Sequence, residues 1–248
     1  MSEEPGQARD RLAVLYADEH LVVIDKPSGL LVHRSPIDRH ETRFAVQLLR
    51  DQLGKRVYPV HRLDKGTSGT LVFALDRGTA TSLAEQFADQ RVGKTYLAIV
   101  RGWPAAHGVI DHPLDAVRDA YAPAADSGSK PCRTVFRTLA TVELPVQVDR
   151  YSTSRYALVE LEPETGRRHQ LRRHLAHLSH PIIGDSTYGK GRHNRLFADR
   201  YGVYRLLLAC VGLEFTHPAT GATVSVQADA GPEFDALRRQ LPWAVPTH

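Results

Sequence analysis

The hydrophobic pattern changes period several times along the chain. Leu12–Tyr16 and Leu21–Asp25 are short apolar runs around the polar turn Ala17-Asp18-Glu19-His20, which predicts two strands. Pro27-Ser28-Gly29 then breaks the chain. From Thr42 to Leu53, the positions of Phe44, Val46, Leu48, Leu49 and Leu53 predict an amphipathic helix ending near Gly54. Thr70–Leu75 is apolar and strand-like, and Asp76 or Thr79 is placed to cap a helix over Ala80–Gln90, with Leu83 and Phe87 on one face. Lys94–Val100 alternates, so a strand puts Tyr96, Ala98 and Val100 on one face and Thr95, Leu97 and Ile99 on the other.

Tyr156–Leu161 and Leu206–Phe215 predict further strands, and Leu171–Leu178 a helix with Leu171, Leu175 and Leu178 as its buried stripe. Ala116–Pro131, rich in Ala, Asp, Ser, Gly and Pro, reads as a mobile loop, and Ser186–Tyr204 as a polar, basic excursion. Strands and helices do not alternate regularly, so the expected class is α+β with a mostly antiparallel sheet. Without a repeat or a compositional boundary, residues 1–11 are read as a loose tail and 12–248 as one domain.

Composition narrows the setting. No apolar run approaches the ~20 residues a membrane helix needs, and Met1–Arg11 has no apolar stretch of the kind that directs secretion. Cys132 and Cys210 are the only cysteines, which fits a reducing cytoplasm better than a disulfide framework. The net charge of +4 is unevenly spread. Arg150 to Arg205 holds eleven Lys/Arg against five Asp/Glu, +6 locally, which leaves −2 elsewhere. Concentrated arginine suits an RNA or DNA backbone, since each neutralised phosphate releases counterions; a solvated basic face without a partner is the plain alternative.

Two segments gather chemistry. His61-Arg62-Leu63-Asp64-Lys65-Gly66-Thr67-Ser68-Gly69 packs a carboxylate and two cations into a small-residue loop. It presents Asp64 to a substrate and Arg62 to a phosphate or base, or is an exposed turn with local ion pairs each worth about 0–1 kcal/mol. Its Gly and Lys spacing is not that of a phosphate-binding loop. Thr165-Gly166-Arg167-Arg168-His169-Gln170-Leu171-Arg172-Arg173-His174 leads from a turn into a helix on whose wheel Arg172 sits beside the leucine stripe. Zinc binding by His169, His174, His177 and His180 is poorly supported, because neither an HExxH motif nor a cysteine pair accompanies them. Neither a dinucleotide fingerprint, a hydrolase triad, a redox cysteine pair nor a nominable second glycosidase carboxylate is present.

Taken in order, these segments resemble the RluA family of pseudouridine synthases. His61-Arg62-Leu63-Asp64 with Thr67-Ser68-Gly69 is similar to the catalytic loop of that family. Lys94-Thr95-Tyr96 through Arg101-Gly102 is similar to its tyrosine strand, and Thr165 to Arg172 through His180-Pro181-Ile182-Ile183-Gly184-Asp185 to its arginine motif. Asp25-Lys26-Pro27-Ser28-Gly29-Leu30 resembles its opening, and the similarity runs from about Leu12 to Phe215. Leu31-Val32-His33-Arg34-Ser35, Arg101-Gly102-Trp103 and Arg172-Arg173-His174-Leu175 point to tRNA-directed members, so uridine 65 of tRNA is the expected target and rRNA the alternative.

The resemblance implies the pseudouridine synthase fold, a central sheet flanked by helices and loops with an active-site cleft across it, and no separate N-terminal RNA-binding domain. It implies that Asp64 opens the reaction, Arg172 is its ion partner, Tyr96 lies against the flipped uracil and Arg62 holds the space the base leaves. His61, Arg167, Arg168 and His169 are expected beside the substrate, with Arg192, Arg195 and Arg200 contacting RNA. The reaction is an isomerisation, so neither cofactor nor metal is expected. RNA is the expected partner and a monomer the expected state. A silent RNA-binding module and a sugar hydrolase are the rivals from other classes.

Overall fold

The computed structural model describes residues 11–34, 40–115 and 128–245. The expected tail apart from Arg11, Ser35, and residues 116–127 of the expected mobile loop lie outside the described residues. The chain opens with β1 (Ala13–Ala17), β2 (Leu21–Lys26), α1 (Ala45–Leu53), β3 (Tyr58–Pro59), β4 (Ser68–Ala74) and α2 (Arg77–Ala88). It continues through β5 (Gly93–Arg101), β6 (His107–Asp111), β7 (Leu114–Asp115), β8 (Ser129–Lys130), β9 (Arg133–Leu144) and β10 (Ser154–Pro163). It closes with α3 (Gln170–His177), α4 (Gly191–Tyr201), β11 (Leu208–Thr216), β12 (Thr223–Gln227) and α5 (Pro232–Gln240). The fold is α+β with a mostly antiparallel sheet. No described helix is long and apolar enough to cross a membrane. The chain divides into two compact units. One comprises residues up to Gly93 with Gly212–Asp229, the other Lys94–Val211 with the residues from Ala230 on.

In the first unit β2 pairs antiparallel with β1 (Ala13↔Asp25, Ala17↔Val22) and with β4 (Leu21↔Ala74 to Lys26↔Gly69). The last residues of β11 pair with β12 (Gly212↔Gln227 to Thr216↔Thr223). Its core joins Leu21, Val23, Val72, Leu83, Leu213, Phe215, Val224 and Val226. Burying each such side chain contributes about 1.5–3 kcal/mol. The α2 start is the Asp76 cap: its Oδ1 accepts the Thr79 N–H at 2.8 Å and its Oδ2 the Thr79 hydroxyl at 2.7 Å, worth about 1 kcal/mol. Helix α1 starts at Ala45 rather than Thr42, because the Ala45 and Val46 N–H groups donate to the Leu31 and Val32 carbonyls (2.8 and 3.0 Å). It ends as expected on left-handed Gly54.

In the second unit β10 pairs antiparallel with β5 (Tyr156↔Arg101 to Leu161↔Tyr96) and with β9 (Ser154↔Leu144 to Pro163↔Thr134), and β9 with β6. The alternation of β5 holds. Ile99 lies in one cluster with Tyr156, Leu158, Phe197 and Phe234, while Ala98 and Val100 lie in another with Val159, Leu171 and Leu175. Both faces of this sheet are therefore buried, one under α4 and α5 and the other under α3.

Two helices and several strands, β9 among them, were not expected. Ser186–Tyr204 contains a helix, α4, where a basic excursion was read. Its buried positions are His193 and Phe197, so half of its short inner stripe is polar in sequence. Helix α5 carries ordinary signals: Pro232 in the first turn, Glu233 and Asp235 beside it, and Arg238 and Arg239 at the end.

Candidate active site

The Asp64 loop lies in the first unit between β3 and β4. Thr67 N–H donates to the Asp64 carbonyl at 3.1 Å, closing a turn on Asp64 itself. The loop is clamped from the Pro27–Leu30 segment: Gly29 N–H donates to the Lys65 carbonyl (2.8 Å) and the Ser28 hydroxyl to the Gly66 carbonyl (2.7 Å). Lys26, fully buried, donates from Nζ to the carbonyls of Pro27 (2.9 Å), Leu30 (2.8 Å) and Lys65 (3.4 Å). An ammonium has three donors and no acceptor, so carbonyls are the partners that make its burial tolerable. His61 is engaged within the unit. Its ring stacks on Phe87 with centroids 4.4 Å apart, and its Nε2 accepts the Val72 N–H at 3.2 Å. Leu63 is buried, Arg62 exposed and Asp64 half-buried, so the loop turns Leu63 inward and leaves the two chemical side chains reachable.

The arginine motif lies in the second unit. Gln170, buried at the head of α3, ties the preceding turn together. Its Oε1 accepts from the Thr165 hydroxyl (2.8 Å) and the Arg167 N–H (3.0 Å), while its Nε2 donates to the Arg133 carbonyl and the Thr134 hydroxyl, both at 3.0 Å. Behind it His174 is fully buried, with Nε2 donating to the His112 carbonyl (3.0 Å) and Nδ1 facing the Thr134 hydroxyl (2.9 Å). Burial pushes the His174 imidazole down, so it sits neutral.

Arg172 is held by a fork. Its Nε donates to Asp185 Oδ2 at 2.7 Å and its Nη2 to Asp185 Oδ1 at 2.9 Å, with the guanidinium over the Tyr188 ring 5.1 Å from its centroid. Asp185 Oδ1 also accepts the Thr187 and Tyr188 N–H groups (2.9 and 3.0 Å). Burial pushes the Asp185 carboxyl up, but the Arg172 guanidinium and these N–H groups outweigh it and hold it below the usual carboxylate range. Asn194 of α4 closes the turn: its Nδ2 donates to the Asp185 carbonyl (2.9 Å) and its Oδ1 accepts the Gly184 N–H (2.8 Å). At Gly184, φ is +82°, and a Cβ would stand 1.8 Å from the Arg205 carbonyl oxygen, so only glycine fits before Asp185. The same Tyr188 hydroxyl lies 3.1 Å from His169 Nδ1. His169 takes a left-handed conformation (φ 55°) at the cap of α3, a strained backbone for a residue with a Cβ.

A model of the RNA pseudouridylate synthase family matches residues 20–177, a stretch that takes in Asp64, Tyr96 and Arg172. The chain belongs to that family. It is an RNA pseudouridine synthase, an isomerase. It is similar to proteins called tRNA pseudouridine synthase C in Vibrio cholerae and Pasteurella multocida. Identity to them is 46% and 47% over 236 residues, covering 94% of this chain and 96% and 97% of theirs. Among solved structures it resembles human RNA Pseudouridylate Synthase Domain Containing 1 (TM-score 0.72, 26% identity, 99% of this chain and 94% of that one). It also resembles human RNA Pseudouridylate Synthase Domain Containing 4 (TM-score 0.69, 26% identity, 95% of each).

The synthase thus carries its motif side chains in two groups. His61, Arg62 and Asp64 share one loop of the first unit. In the second, Tyr96 of β5 packs on the cluster that holds Leu171 and Leu175 of α3, so it shares a sheet face with the arginine helix. Arg167 is exposed and Arg168 half-buried in the turn before α3, while Arg192 and Arg195 are exposed on α4. Among the described residues no three His, Cys, Asp or Glu are gathered as a metal site. The four histidines considered for zinc face different partners: His177 stacks on His112 (3.7 Å between centroids) and His180 Nδ1 lies 2.9 Å from the Arg101 carbonyl.

One position that shapes the site escaped sequence reasoning. Asp185 was seen only as the end of a motif, and nothing local marks it as the carboxylate that takes Arg172.

Proposed function

We propose that the synthase acts on tRNA, with uridine 65 as its target, and that the two units act as a single catalytic domain. The carrying observation for tRNA is the chain-long similarity to proteins of that substrate, which leaves almost no part of either chain unmatched. Isomerisation breaks N1–C1′, turns the base, joins C5 to C1′, releases the C5 proton and protonates N1, with no net change of oxidation state. A uridine in a stem has to leave the stack first, at a cost of a few kcal/mol.

Asp64 is the catalytic carboxylate in this reading. Three openings suit it: attack at C1′, attack at C6, or removal of a sugar proton. Arg172 is its ion partner, keeping it ionised and aimed in a site that excludes water. The Asp185 fork supports that role, since it fixes the guanidinium plane through two of its five N–H donors. Tyr96 lies against the flipped uracil and assists removal of the C5 proton. Arg62, exposed at the loop, fills the space the base vacates, and His61, Arg167, Arg168 and His169 shape the entrance.

The test is tritium release from RNA labelled at uracil C5, with the native chain and Asp64→Asn side by side on unmodified tRNA and rRNA. Release from tRNA by the native chain alone is expected, followed by mapping of the product to position 65. Release from rRNA only removes the tRNA reading, and full turnover by Asp64→Asn removes the assignment of Asp64.

A further inference from the structure

The basic excess that begins at Arg150 is built onto a rigid surface of the second unit. The turn between β9 and β10 carries Asp149, Arg150 and Tyr151, and α4 presents Arg192 and Arg195 one turn apart on an exposed face. A polar chain, buried at Tyr156 and His193, fastens the two together. Asp149 Oδ2 stands 3.0 Å from His193 Nε2 on the inner side of α4 and 3.4 Å from Arg101 Nη2, and the Tyr156 hydroxyl stands 2.8 Å from His193 Nδ1. Arg192 reaches the same carboxylate at 3.9 Å. Both Tyr156 and His193 are buried, so the turn and the helix are mounted as one piece.

What they mount is aromatic as well as basic. Tyr151 is 61% exposed, with the Arg150 guanidinium 4.7 Å over its ring. An exposed ring with a guanidinium on one face, beside the exposed arginines of α4, matches a base stacked between phosphates rather than a protein core contact.

We propose that this surface docks an unpaired segment of the substrate RNA. Tyr151 stacks a base there, and Arg150, Arg192 and Arg195 take the phosphates. The inference rests on the tRNA reading and adds to it a binding surface beyond the catalytic side chains.

The test measures equilibrium binding of the native chain to a folded, unmodified tRNA transcript, a blunt RNA duplex and phosphatidylserine vesicles, over a range of salt. Tyr151→Leu, at an exposed position, is expected to weaken tRNA binding about tenfold and duplex binding hardly at all, because only an unpaired base stacks. Arg150→Gln combined with Arg192→Gln is expected to weaken both RNAs and to reduce the salt slope by about two. Native affinity and slope in these variants overturn the proposal, as does a loss confined to the vesicles. Tritium release from the same tRNA separates the two readings. No release with shifted affinities removes the substrate assignment and keeps the surface; normal release with unmoved affinities removes the surface alone.

Discussion

The Asp64 loop and the Arg172 helix are held in place by different physics. The loop is held through its backbone: the carbonyls of Lys65 and Gly66 receive Gly29, Ser28 and Lys26, and His61 braces the turn against Phe87. The chain beneath Asp64 is thereby fixed. At the helix the functional side chain itself is fixed, by a carboxylate that two backbone N–H groups hold in turn. A loop fixed through its backbone tolerates changes of side chain that keep the turn. A guanidinium fixed through a buried ion pair tolerates almost none.

The strongest way to break that contrast is to remove one partner of the fork. Asp185→Ala breaks the buried fork on Arg172, and about 3–5 kcal/mol of stability should be lost. Chemical denaturation reads this directly, and a loss below about 1 kcal/mol would mean that Arg172 relaxes outward and is not held as described. Lys26→Met is expected to cost less, about 1–3 kcal/mol, because it leaves the Pro27, Leu30 and Lys65 carbonyls without a donor. A cost equal to that of Asp185→Ala would erase the contrast.

Acid sharpens the comparison with the smallest effect. In the second unit burial holds His174 and His193 below the ordinary imidazole value, so the unfolded chain binds protons that the folded unit does not. Their contribution is complete above about pH 6.5 and is lost as pH falls through that value toward their folded ones. In the first unit, burial pushes the Asp18 carboxyl up, but bonds from Tyr16, His20, Leu21 and His217 bring it down to about 2. Its contribution is present above about pH 4 and is lost only as pH falls toward 2. Trp103 and Trp243, the two tryptophans, both belong to the second unit. Their fluorescence melt should therefore weaken between pH 7 and 5, and His174→Gln should blunt that response. A melt flat down to pH 4 would show that neither imidazole resists protonation.

Periodicity was a good guide wherever burial was apolar. The alternation of Lys94–Val100, the stripe of Leu171 and Leu175 and the cap at Asp76 were all legible because each rests on local spacing. Helix α4 was not, since His193 supplies half of its buried pair and looks polar in one dimension. The motif residues Asp64, Tyr96 and Arg172 were legible only through resemblance. Asp185, thirteen residues beyond Arg172, was invisible as its partner because a fork is made by a turn, not by a period.

Strand β11 gives its first residues to one unit and its last to the other, and the first unit closes only with Gly212–Asp229. During synthesis, therefore, the segment bearing Asp64 emerges early but lacks Leu213, Phe215, Val224 and Val226 of its own core until residue 229 has left the ribosome. The second unit is largely translated by then. A message cut just past the arginine motif would encode every side chain assigned to the chemistry and still yield an unfinished first unit with apolar surface exposed, a target for chaperones and proteases rather than a small enzyme.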